Sequence, residues 1–350
     1  MDKPTFYQIR IKSHLDDTWA QSFEGLTVSN LESGDALLTG FIPDQSALQG
    51  VLKRISNLGL TLVSVNTVNE ETETKEEIHM NKKSTSFEGY SLPLFLMLTP
   101  LVSLAIPLFL PLPPEVVPLM MVFVPALLAT FFTALTDGRK GVSALLKKLF
   151  QWQVSFKWVL IALGLAFVLR LSVSLLAILF GWIPTIQVYS WSPQQFLVIG
   201  VFTLFGAFME ELGWRGYALP RLLVYRSPLV SALIIGIPWG ILHLGLTLPG
   251  QMNAGMPWMA TVAFIVALSI VLTWLFIQTR GSLFIVILHH AVQNFLVFLN
   301  GGVPFVQSSW LLATVTFALA FLLILFYGPN LQNDPVNKMG MTSAGQTKIR

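Results

Sequence analysis

The chain has 350 residues, of which 11% are charged and 54% hydrophobic, with 26 Phe, 10 Trp and a mean hydropathy of +0.68. Globular proteins carry about 25% charged residues, so this composition cannot cover a water-soluble surface and excludes a soluble enzyme or a disordered chain. Cysteine is absent, which removes disulfides, thiol catalysis, cysteine-type zinc sites and iron–sulfur clusters.

The charges divide unevenly. Residues 1–88 hold thirteen acidic and eight basic side chains, whereas residues 89–350 hold five acidic and thirteen basic. The pI near 9.1 therefore reflects Lys and Arg flanking membrane spans, and no nucleic-acid partner is expected. Residues 1–20 are polar and mixed in charge, so no signal peptide is expected.

Residues 1–68 read as a small soluble module. Tyr7, Ile9 and Ile11 alternate with polar neighbours, as in a half-buried strand. Leu26–Asn30 and Ala36–Phe41 form two further strand candidates, joined across Glu32–Asp35 with Gly34 as the turn residue. Leu48, Val51, Leu52 and Ile55 follow helical spacing, and Leu60–Val65 is β-rich. The order strand, short helix, strand, strand, helix, strand is that of a ferredoxin-like α/β sandwich, a regulatory or interaction module. It has no Gly-rich phosphate loop, and its His14 stands alone. Residues 69–88, with Glu70, Glu71, Glu73, Glu76 and Glu77, read as an acidic solvated linker.

Residues 89–330 read as an all-α polytopic membrane domain, since a span needs about 20 mostly apolar residues. Eight candidates lie near 91–112, 116–136, 158–181, 195–214, 229–248, 258–279, 282–299 and 310–328. Arg139, Lys140, Lys147, Lys148 and Lys157 follow the second span, Arg221 and Arg226 the fourth, and Arg280 the sixth. Lys338, Lys348 and Arg350 lie in the tail, residues 331–350. The connections after spans three, five and seven are uncharged. Every basic cluster therefore falls on one side, and the positive-inside rule makes that side cytoplasmic. The expectation is a multi-pass protein of the cell membrane, in contact with lipid, with both termini and the N-terminal module in the cytoplasm.

Ionisable residues at membrane depth are costly and mark function. Here they are Arg170, Glu210, Glu211, Arg215, His243, His289 and His290, joined by Asn294. Glu211 and Arg215 are spaced i, i+4 and can pair on one helix face. Glu210 is turned about 100° from Glu211 and points elsewhere. His290 and Asn294 share a face of span seven, and His243 enters from span five. A carboxylate, two imidazoles and a carboxamide from three helices can converge on one water or one metal ion. His289 reads as a packed or capping side chain, and Arg170 as structural, paired with a buried acid or snorkelling.

The spacing Glu210-Glu211-Leu-Gly-Trp-Arg215 resembles the EExxxR motif of the CPBP (ABI) family of intramembrane proteases, which includes CAAX prenyl endopeptidases and bacteriocin-processing enzymes. Trp239-Gly-Ile-Leu-His243 resembles the family's FxxxH motif, with Trp in place of Phe, and His290-Ala-Val-Gln-Asn294 its HxxxN motif. The likeness spans about residues 195–300 and leaves residues 1–88 outside. It implies peptide-bond hydrolysis at the cytoplasmic side of the membrane, on a protein or peptide substrate that is membrane-anchored or prenylated.

Chemistry on the residues agrees with that implication. A desolvated Glu210 suits a general base that takes a proton from water. His243 can hold that water, His290 and Asn294 can donate to the oxyanion, and Glu211 with Arg215 supports the site. Glu210, His243 and His290 also satisfy the ligand set of a catalytic zinc site, which would make the enzyme a metalloprotease. Two other classes compete: a non-catalytic membrane scaffold of the immunity or sorting type, which would not need Glu210 and His243 together, and a transporter, which would favour inverted repeats.

Overall fold

The computed structural model describes residues 5–332 except 13, 16–22, 24, 32–33, 59 and 69–75. Its contacts separate two units, Met1–Ser86 and Phe87–Arg350. The short helix expected between the first two strands, the acidic residues Glu70, Glu71 and Glu73, and Lys338, Lys348 and Arg350 lie outside the described residues.

The first unit contains β1 (Thr5–Lys12), β2 (Thr27–Asn30), β3 (Ala36–Ile42), α1 (Gln45–Asn57) and β4 (Thr61–Val68). The strands form an antiparallel sheet in the order β2-β3-β1-β4. Ile9 stands opposite both Leu38 and Val65. The period-2 pattern thus puts Ile9, Ile11 and Leu38 on one face, where they are fully buried with Ile55 of α1. Asp44 starts α1 by accepting the Ala47 N–H at 2.8 Å, satisfying one of the helix's orphan donors. His14 contacts the Leu31 carbonyl at 3.1 Å.

The second unit is helical. Helix α2 (Glu76–Phe109) starts before the boundary and ends within this unit, whose other elements are α3 (Val116–Lys147), α4 (Phe156–Leu179), α5 (Pro193–Glu211), α6 (Leu219–Leu223), α7 (Pro228–Leu242), α8 (Trp258–Gln278), α9 (Leu283–Phe295) and α10 (Phe305–Tyr327). Among the described residues, eight helical stretches are long and apolar enough to cross a membrane. They correspond one for one with the apolar runs of the sequence, although three of them differ clearly in extent, the fourth running to Leu223 rather than ending near 214. The helix carrying the first span begins at Glu76, inside the stretch read as a linker. The second stretch runs to Phe150, well past residue 136, because α3 bends at Gly138 (φ 63°) and continues through Arg139, Lys140 and Lys147.

The centre of this unit is α8, with 72% of its apolar window buried against 28–50% for the other seven. It packs on α7 through two glycines. A Cβ at Gly236 would lie 3.0 Å from Val266 Cα and Ser269 Cβ, and one at Gly240 would lie 3.2 Å from Val262 Cα. These positions are four apart on one face, so the backbones approach closely along a small-residue seam. That approach lets the Ser269 hydroxyl donate to the Ala232 carbonyl at 2.7 Å and brings Ser269 within reach of Arg215.

Candidate active site

At its C-terminal end α5 delivers Glu210 and Glu211, and the chain then widens into a π-helical segment, Leu212–Ala218. Such segments are uncommon and often sit at functional sites. Arg215 lies in this segment and donates from Nη1 to Glu211 Oε1 at 3.1 Å. Its Nη2 donates to the Ser269 hydroxyl at 3.0 Å, and its guanidinium lies 4.7 Å from the centre of the Trp239 ring. Glu211 and Arg215 are both wholly buried.

Glu211 has a second partner. His290, on α9, donates from Nδ1 to Glu211 Oε1 at 2.9 Å and turns Nε2 toward Glu210 Oε2 at 3.6 Å. The two adjacent carboxylates therefore address opposite nitrogens of one imidazole. His243, at the end of α7, donates from Nδ1 to the Trp239 carbonyl at 2.9 Å, a carbonyl of the last turn. Its Nε2 lies 3.9 Å from Glu210 Oε1, and its side chain is 23% exposed against 4% for Glu210. Trp239, where the FxxxH motif has Phe, donates its indole N–H to Glu210 Oε1 at 3.0 Å.

These contacts determine where the ring hydrogens sit. A carbonyl and a carboxylate engaged by Arg215 can only accept, so Nδ1 carries the hydrogen on both imidazoles. Both Nε2 atoms are then directed at Glu210. With neutral imidazoles, two carboxylates and one guanidinium leave a single negative charge, and one added proton makes the buried cluster neutral.

Asn294 stands one turn beyond His290 on α9, half-buried, and its amide makes no hydrogen bond among the described residues. His289 is turned away and reaches the Ala162 carbonyl of α4 at 2.9 Å. Arg170 neither snorkels nor meets an acid: among the described residues no carboxylate lies within ion-pair range of it. It donates from Nε to the Gln293 carbonyl at 2.7 Å and from Nη1 to Asn300 Oδ1 at 3.4 Å. A cation at the end of α9 satisfies a free carbonyl and complements the helix dipole. His289 and Arg170 thus clamp against α4 the helix that carries His290 and Asn294.

Two imidazoles and a carboxylate are suitable zinc donors. However, tetrahedral ligands at 2.0–2.1 Å from zinc stand about 3.3 Å apart, closer than the 3.6 and 3.9 Å separations here. No group of three or more His or acidic side chains able to hold a metal ion occurs among the described residues.

Sequence reasoning missed the Glu211–His290 hydrogen bond, the Trp239 N–H on Glu210 and the role of Ser269. Trp239 did leave a signal, because a buried indole N–H needs an acceptor and this one lies one turn before His243. Ser269 left none.

Residues 191–296 match the family described as type II CAAX prenyl endopeptidase Rce1-like. Residues 6–66 match a family described as a domain of unknown function, DUF8691. CAAX prenyl protease 2 of Methanococcus maripaludis is 29% identical over 232 residues, covering 59% of this chain and 82% of the relative. With the eight apolar helices, these matches define a membrane endopeptidase. These matches support a CPBP-family intramembrane protease, which the three motifs led us to expect.

Proposed function

We propose that Glu210 is the general base of this endopeptidase and that it activates a water held against His243 to cleave a peptide bond near the membrane surface. The observation that carries the reading is the placement of the Glu210 carboxylate between two Nε2 atoms, 3.6 Å from His290 and 3.9 Å from the half-open His243. The water oxygen bonds to the scissile carbonyl carbon while its proton passes to Glu210. The oxyanion accepts hydrogen bonds from His290 Nε2, when that ring holds the cluster's one added proton, and from the Asn294 amide. The C–N bond then breaks, and Glu210 returns the proton to the leaving amine. Glu211 and Arg215 hold His290 in orientation, and no step runs through a metal ion.

The substrate we propose is a membrane-anchored protein or peptide. The name of the archaeal relative, a CAAX prenyl protease, supports a prenylated C-terminal tail as its class. The basic side of the membrane domain is read as cytoplasmic, which puts both termini and the cleavage reaction there. The sheet order β2-β3-β1-β4 supports the ferredoxin-like reading of the N-terminal unit, which we assign a regulatory or interaction role. The test is cleavage of an otherwise identical peptide, prenylated or not, by protein reconstituted in vesicles. Preference for the prenylated peptide is expected, and equal rates would remove prenylation from the reading.

A further inference from the structure

We propose that Trp239 is the positioning residue for Glu210, an inference that rests on the reading of Glu210 as the base. The indole has one donor and no acceptor, and it spends that donor on Glu210 Oε1 at 3.0 Å. Its ring is 1% exposed and confined on several sides. Arg215 lies 4.7 Å from its centre, His290 meets it edge-on at 5.3 Å, and Trp214 lies at 6.4 Å. A ring so enclosed cannot swing away, so the oxygen it holds cannot rotate freely.

The main chain of the same residue acts on a second member of the site. The Trp239 carbonyl accepts the His243 Nδ1 hydrogen at 2.9 Å, which directs His243 Nε2 toward Glu210. One residue therefore orients the base through its side chain and an imidazole through its backbone, while packing on the other imidazole and on Arg215. With Oε1 held by the indole, the plane of the carboxylate is fixed, and with it the direction of the lone pairs that take the proton. Trp239 touches neither water nor substrate in this account and acts through Glu210.

The test replaces only the N–H. β-(3-Benzothienyl)alanine at position 239 keeps the shape of the indole and puts sulfur in place of the N–H, while Trp239→Phe keeps an aromatic ring without a donor. We expect kcat to fall roughly 10- to 100-fold, as for a misplaced catalytic group, with KM within about twofold and unfolding temperature unchanged in the benzothienyl variant. A benzothienyl variant with wild-type kcat would overturn the assignment. Loss of activity in Glu210→Gln beside it would confine the failure to Trp239, whereas an active Glu210→Gln would overturn the base itself. A readout without substrate is also available. In protein labelled with ¹⁵N at the indoles of its ten tryptophans, Glu210→Gln should shift the one N–H signal that Trp239→Phe removes. If that signal stays in place, the hydrogen bond does not exist.

Discussion

Glu211 accepts the Nδ1 hydrogen of His290 at 2.9 Å across two helices, and this bond divides the work of two adjacent carboxylates. Glu211 is committed, fully buried between His290 and Arg215. Glu210 has the indole on one oxygen and faces the Nε2 atoms of His243 and His290 with both. The chemistry assigned to Glu210 is possible because Glu211 already neutralises Arg215 and fixes the ring between them.

Glu211→Gln should be a stability mutation first. It leaves the Arg215 cation buried without its anion, and breaking a buried pair from one side costs roughly 3–5 kcal/mol. Removing both charges in Glu211→Gln/Arg215→Met should restore much of that loss, because the guanidinium is no longer buried beside a neutral amide. Thermal unfolding in detergent compares the three proteins. A single variant as stable as the wild type would mean that the pair does not hold the helices.

The zinc alternative has a direct assay. Protein stripped with a chelator should keep its turnover and contain well under one metal per chain. If activity is lost and then restored by about one equivalent of zinc, Glu210, His243 and His290 become ligands.

Topology follows from the one-sided basic clusters. The chain contains no cysteine, so single cysteines placed at Ser143 and Gln251 report without background. An impermeant thiol reagent should label them from opposite faces of sealed vesicles, Ser143 from the cytoplasmic one. Labelling of both from one face would contradict the orientation.

The eight spans were legible because each is a continuous apolar run of the required length. The extension of α3 past residue 136 was not, since Arg139 and Lys140 end the apolar run while Leu145 remains buried. Strand positions followed from alternation at Tyr7, Ile9 and Ile11, but sheet order depends on long-range pairing that no local pattern encodes. The same division holds in the site. Glu211 with Arg215 lies on one chain segment and was readable from helical spacing. Glu211 with His290, Trp239 with Glu210 and Arg215 with Ser269 join different helices, and each depends on how closely those helices pack, as at the Gly236–Gly240 seam. Arg170 was recognisable as structural and at membrane depth, yet its partners are the Gln293 carbonyl and the Asn300 amide, which helical spacing does not reveal.

Glu210, not Glu211, is assigned the proton transfer, and the turnover of Glu210→Gln in vesicles on a prenylated tail peptide tests that assignment. The substitution keeps the shape of the side chain and its acceptor for the Trp239 N–H but removes the base. The protein should accumulate and unfold as the wild type does, while turnover falls by roughly two orders of magnitude or more. Near-normal cleavage by Glu210→Gln, with Glu211→Gln folded, abundant and inactive, would contradict the account and move the base to Glu211.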